Sequence, residues 1–339
     1  MLHEIDHILP KAPAFSYNTG VIYKEEDHSF LADAITMCQE NNIFFKQLSL
    51  KVVKEDTVIN ELFDGSSVLA IIRTIIDIFI GNIKELVERF CHVVGTFVSN
   101  EHHIEKYAQQ ILKFDGVLKI EDFRHYKYTN LEEDIPPICI NSEILDDYGE
   151  VLDKLSKIGR ETDRKELMKK LTSFSIKSKS EFRDKDVFLF RGKVVGKKEG
   201  ISKELYSEEL HKVFRNGKTT PHLGDFHQED IHESYRRWKN EKIFTKDIKR
   251  QRTVLEANAN EVKKKIQNID LSSITNGNFK EDYELENILN GILRNECDKI
   301  QEICNITLLA FGAKLEALKE AIIQDKKVLY YTISQIIGS

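Results

Sequence analysis

The chain has 339 residues with only 16 glycines and 5 prolines, a composition that favours long helices over many turns. Its five cysteines, Cys38, Cys91, Cys139, Cys297 and Cys304, are odd in number, scattered and without a Cys-x-x-Cys pair, which argues for reduced thiols and against a disulfide framework or zinc site. The formal net charge of −6 conceals an uneven distribution, with 13 basic against 26 acidic side chains in residues 1–150, 30 against 20 in residues 151–270, and 7 against 10 in residues 271–339. An acidic first half and a basic middle can pair within a subunit, pair between subunits, or set the middle against nucleic acid.

Residues 1–28 contain Pro10, Pro13 and Gly20 with few periodic apolar positions, and read as an extended N-terminal arm. They open with Met-Leu-His-Glu-Ile-Asp, acidic where a secretory signal is basic, so no export signal is expected. Residues 29–115 form an apolar helical region. Asp27 or Ser29 caps a first helix carrying Phe30, Leu31, Ala34, Ile35 and Cys38, and a second apolar segment runs from Ile43 to Phe63. After Asp64-Gly65-Ser66 comes the strongest pattern in the chain, an amphipathic helix over 66–98. Its polar positions Arg73, Asp77, Gly81, Lys84, Glu88 and His92 recur at three- and four-residue steps and form one narrow stripe.

The remaining circumference of that helix is apolar and needs cover from a bundle, a partner or a membrane surface. Ile72, Ile76, Phe79, Ile83, Val87 and Phe90 are the expected partner- or membrane-facing residues. A constitutive transmembrane span is not expected, because Arg73 and Asp77 would lie near mid-bilayer at a cost of about 2.5–3.5 kcal/mol each.

Past His103 to Phe114, residues 116–140 read as a strand and connector. Leu118 to Thr129 is partly alternating and aromatic-rich, and Pro136-Pro137 closes it. Residues 141–270 are a basic helical region. Within it, Val187 to Val195 is read as a short hairpin or a buried irregular loop, Leu205 to Phe214 as a short helix, and Ile231 to Ile269 as one long helix or a helix pair. Residues 271–339, with Leu285, Ile288, Ile292, Ile300, Ile303, Leu309, Leu315, Leu318, Ile322, Leu329 and Ile333, read as a long helical hairpin or coiled coil bending at Gly291 or Gly312. The expected fold class is therefore mainly α, an elongated multi-helix bundle with a minor β element.

Catalytic signatures are weak. His222, His227 and His232, interleaved with Asp225, Glu229 and Asp230, could converge only from a loop, since spacings of five point successive side chains about 140° apart on a helix; a polar turn is the favoured reading over a metal-dependent hydrolase. Gly192-Lys193-Val194-Val195-Gly196-Lys197-Lys198 lacks the spacing and hydroxyl of a phosphate loop. No catalytic residue, metal ligand or cofactor is expected. For contact with nucleic acid, the candidates are Arg236, Arg237, Lys239, Lys249, Arg250 and Arg252.

The helix at 66–98 followed by Ser99-Asn100-Glu101-His102-His103-Ile104-Glu105-Lys106-Tyr107 resembles a recurring pattern in virion structural proteins of large tailed bacteriophages. Tyr126-Lys127-Tyr128-Thr129 with Pro136, Val195-Gly196 to Ile201-Ser202, Glu208-Glu209-Leu210 to Phe214-Arg215-Asn216-Gly217, and Lys314-Leu315-Glu316-Ala317-Leu318-Lys319 extend the resemblance over most of residues 60–330. It implies a non-enzymatic virion component assembled in the host cytoplasm. Such a component would be multi-copy, in contact with itself, other virion proteins and phage DNA, and either internal to the capsid or ejected with the genome. An alternative expectation is a membrane-active ejection or effector protein whose helix 66–98 leaves its shelter for a host membrane.

Overall fold

The computed structural model describes residues 29–55, 65–97, 101–125, 154, 157–158, 163–184, 187–190, 193–197, 222–267 and 283–338, and over these the chain is mainly α. The arm at 1–28, the 205–214 helix, Tyr126–Thr129 and Pro136-Pro137 lie outside the described residues. The helices are α1 (Phe30–Glu55), α2 (Gly65–Phe97), α3 (Glu101–Lys106), α4 (Ala108–Lys113), α5 (Arg164–Asp184), α6 (Gln228–Lys239), α7 (Glu241–Gln267) and α8 (Tyr283–Gly338). Four short strands complete the described elements: β1 (Leu118–His125), β2 (Val187–Phe190), β3 (Lys193–Lys197) and β4 (His222–Phe226).

Local chemistry sets several of these boundaries. The Ser29 hydroxyl accepts the Ala32 N–H at 3.2 Å and so caps α1, one of the two residues the sequence offered for that role. The Asp163 carboxylate takes the Lys165 and Glu166 N–H groups at 2.8 and 3.3 Å and starts α5. The Ile231–Ile269 region is a helix pair: Asn240 closes α6 by donating to the carbonyls of Arg236 and Arg237, and its own carbonyl accepts the Phe244 N–H at 3.2 Å. One residue thus carries the backbone from α6 into α7.

The C-terminal region, expected as a long helical hairpin or coiled coil, is a single helix of 56 residues, roughly 80 Å at 1.5 Å per residue, not a hairpin. The helix continues unbroken through both glycines. Gly291 faces solvent, whereas Gly312 marks where α1 crosses: a Cβ there would lie 2.5 Å from the Ala34 Cβ and 2.8 Å from the Phe30 carbonyl oxygen. The missing side chain lets two backbones approach, which is a different use of glycine from a break.

α8 is the axis of the molecule. It packs against α1, α2, α5 and α6, while α7 lies along α2. From Cys304 to Lys319 all sixteen residues are buried, so the helix is covered on every side. The larger core combines Phe30, Met37, Phe45, Ile76, Phe79, Phe90, Leu171, Ile248, Val262, Ile306, Phe311 and Leu315 from five helices. Phe30 and Phe90 meet edge to face at 5.6 Å between ring centres, which seats α1 on α2. A smaller core gathers Ile104, Ile111, Leu118, Phe226 and Ile231 around Val328, Leu329 and Ile333 near the end of α8.

The strand expected at Leu118 is present and pairs antiparallel with β4, Leu118 opposite Phe226 and His125 opposite His222, with a register shift between Lys119 and Arg124. β2 and β3 form the hairpin that was one of two readings for Val187–Val195.

The two glycines of α8 separate close approach from helix propensity. Gly312→Ala is expected to destabilise the fold by about 1–3 kcal/mol through overpacking against α1. Gly291→Ala, at an open exposed site, is expected to stabilise it by about 0.5–1 kcal/mol. Urea midpoints of the two variants check both signs.

Candidate functional site

A helix buried on all sides must find partners for its own polar side chains inside the protein, because an unpaired charge in that environment costs several kcal/mol. α8 carries Asn305, Thr307, Lys314, Glu316, Lys319, Gln324, Asp325 and Thr332 in buried positions. Each answered position ties α8 to a neighbour or to its own backbone. At the first level, Asn42 of α1 accepts from the Gln301 and Asn305 amides at 2.6 and 3.0 Å, and the Cys38 thiol donates to the Asn305 carbonyl at 3.5 Å. Burial pushes the Cys304 thiol far up, leaving it an unreactive neutral group.

Midway, the Lys314 ammonium donates to the Gln251 carboxamide of α7 at 3.1 Å. The amide in turn donates to Asp247 at 2.8 Å, and Arg250 holds Asp247 at the surface. A buried cation is thereby connected to an exterior carboxylate through one neutral amide. Two residues on, Glu316 accepts the backbone N–H of Phe30 at 2.7 Å and pairs with Lys319 at 2.8 Å. The first turn of α1 has unpaired N–H groups, and a carboxylate from a helix 286 residues away satisfies one of them.

The last level lies where the larger core gives way to the smaller one. Arg237 of α6 makes a two-pronged bond to Asp325, Nε to Oδ2 at 2.9 Å and Nη2 to Oδ1 at 2.8 Å, and its Nη1 reaches Glu233 at 2.9 Å. The Asp325 side chain is 3% exposed. Burial raises its pKa to about 6 against the opposing pull of Arg237. A cavity of about 10 Å³, room for one water, is lined by Arg237, Trp238, Phe244, Leu318, Ala321, Ile322 and Asp325.

No protein family, curated protein or solved structure matches this chain. Its own geometry has to carry the argument.

The residues singled out in the sequence fall in three places. Ile72, Ile76, Phe79, Ile83, Val87 and Phe90 are all buried within the chain itself. The expectation that they face a partner or a membrane is corrected: α8 and α7 cover them. The polar stripe is the outer face, with Asp77, Gly81, Lys84, Glu88 and His92 exposed. Its Asp77 is clasped across helices by Lys263 of α7 at 2.6 Å. Arg89, beside the stripe, binds Asp33 of α1 at 2.9 Å and Glu85 of its own helix. Among the described residues, no helix is long and apolar enough to cross a membrane.

The cationic candidates divide. Arg237 is spent on Asp325, so its assignment to nucleic acid is corrected; Arg250 is engaged by Asp247 and Arg252 by Glu256 at 3.2 Å. Arg236, Lys239 and Lys249 remain exposed. The histidines serve structure. His222 lies in β4, and His227 precedes α6, its backbone N–H bonded to Asp230 at 3.1 Å. The His232 ring meets the Leu112 carbonyl at 3.0 Å. Among the described residues, no three His, Cys, Asp or Glu side chains gather as a metal site.

Sequence reasoning missed Asp325, Gln251 and Glu316 as a set. A signal existed: Leu308 to Ala313 has six residues without a polar side chain, and Ala310, Ala313, Ala317 and Ala321 put small residues on the face away from Leu308, Leu315 and Leu318. A helix apolar on both faces is a central helix.

Because the folded pKa of Asp325 is raised, the folded state holds this proton more tightly than the unfolded chain. Its ionisation therefore costs stability above about 6, and the cost is relieved as pH falls through that value. Relative to Asp325→Asn, the wild type is expected to gain about 1–3 kcal/mol between pH 7.5 and 4.5. Arg237→Met, which strands the carboxylate, is expected to cost about 3–5 kcal/mol at pH 7.5. Joint replacement of both residues by leucine should recover most of that loss in denaturant titrations.

Proposed function

We propose that this chain is a non-enzymatic structural component of a bacteriophage particle, present in many copies and acting through contacts with itself and with other virion proteins. The observation that carries the reading is where the described residues spend their reactive side chains. The His232 ring, the buried Glu316 and Asp325 carboxylates and the buried Cys38 and Cys304 thiols serve hydrogen bonds, ion pairs and packing between helices. A protein whose polar interior is given to holding a long helix in place suits a mechanical or assembly role better than turnover of a small molecule. The phage context rests on the resemblance of residues 60–330, whose Lys314–Lys319 motif coincides with the middle of the buried ladder.

Under this reading the virion is the site of action and the outer faces of α1, α2, α6 and α7 are the contact surfaces. The test is quantitative mass spectrometry of purified, nuclease-treated particles of the phage encoding the chain. Many copies per particle are expected. Abundant protein in infected cells, with none in particles, would refute the proposal.

A further inference from the structure

Among the described residues, α6 and α7 present four exposed cations for which no ion pair is found. Arg236 and Lys239 lie in the last turn of α6, and Lys246 and Lys249 in the early turns of α7, all four exposed. On α6 they sit opposite Ile231 and Ser234, which face the core, and on α7 opposite Phe244, Ile248 and Gln251. Asn240 joins the two helices through a single residue, so the four positions fall within 14 residues, at most about 20 Å of helix. Of the acidic side chains described beside them, Glu233 is engaged by Arg237, Asp247 by Arg250 and Glu256 by Arg252. Arg237, Arg250 and Arg252 are thus engaged in internal pairing, whereas Arg236, Lys239, Lys246 and Lys249 stay exposed.

The make-up of that face discriminates between occupants. A lipid-binding helix needs an apolar flank beside its cations, and a protein interface needs aromatic or aliphatic anchors. Here Tyr235, Trp238, Phe244 and Ile248 all turn inward or are half-covered, and Val254 is the one large apolar side chain exposed on the described part of α7. Cations without anchors suit a partner recognised by charge alone. We propose that the outer face of α6–α7, through Arg236, Lys239, Lys246 and Lys249, binds the phosphate backbone of nucleic acid without reading its sequence. This deepens the particle reading by naming packaged DNA as a partner of the same chain, yet it can stand or fall separately.

The experiment is fluorescence anisotropy of the full chain with a short labelled DNA duplex of mixed sequence, between 50 and 200 mM salt. Four phosphate contacts are expected to weaken binding about a hundredfold over that range, because each contact contributes about 0.9 to the slope of log affinity against log salt. The quadruple variant Arg236→Gln, Lys239→Gln, Lys246→Gln, Lys249→Gln should lose more than tenfold in affinity at 100 mM salt and most of the slope. A control with the same charge change on other exposed lysines, Lys113→Gln, Lys119→Gln, Lys165→Gln and Lys169→Gln, should lose less than threefold. Circular dichroism establishes that both variants are folded. Absence of wild-type binding at 50 mM salt, equal losses in the two variants, or polyglutamate competing as well as DNA would each overturn the proposal, the last by assigning the face to an acidic protein. DNA binding by a chain absent from particles would overturn the particle reading alone.

Discussion

The structure depends on one constraint: a helix covered on every side must have each of its polar groups answered from within the protein. From Cys304 to Lys319 α8 has no solvent face. Its neighbours are consequently fixed in rotation and height by the groups they must offer. α1 has to bring Asn42 to Asn305 and its own first turn to Glu316, α7 has to bring Gln251 to Lys314, and α6 has to bring Arg237 to Asp325. Apolar packing alone tolerates sliding by a turn, whereas these pairs do not. Buried ion pairs add little net stability over apolar replacements of the same volume. In this fold their effect is to set register along a helix long enough to be packed in several ways.

The same constraint explains the charge pattern. Near α8, Lys319 pairs with Glu316, Arg237 with Asp325, and Lys314 is answered by the Gln251 amide; a second tier of pairs at the periphery, Lys263 with Asp77 and Arg89 with Asp33, holds the outer helices on α2. Exposed pairs of this sort contribute modestly, on the order of 1 kcal/mol or less. Among the described residues, Arg236, Lys239, Lys246 and Lys249 on α6–α7 are exposed cations left outside both tiers.

Much of the secondary structure was legible in the sequence, and the reason is periodicity. The polar stripe from Asp77 to His92 marks the solvent side of α2, Ser29 marks the start of α1, and the alternation after Leu118 marks a strand. What the pattern could not supply was the identity of the cover. An apolar face is satisfied equally by a partner, a bilayer or the rest of the chain, and the choice depends on α8, which begins 186 residues after α2 ends. The same limit applies to Arg237. Local sequence shows it beside Arg236 and Lys239 and suggests one basic cluster, while Asp325 88 residues later decides that one of the three faces inward. The close approach at Gly312 was not legible for a related reason, since a glycine in a helix is open to a bend or a close approach, and only the crossing α1 reveals the latter.

The account therefore rests on α8 being a continuous, fully sheathed helix. Native-state hydrogen exchange with mass spectrometry on the full chain measures this directly. Amides from 304 to 319 should be the slowest in the molecule, exchanging only through global unfolding with a free energy equal to that from denaturant titration, while the exposed start of α8 near Glu284 exchanges by local fraying. Exchange of the 304–319 amides as fast as that of the 284–291 stretch, or well below the global unfolding free energy, would show that α8 is not the sheathed axis and would contradict the account.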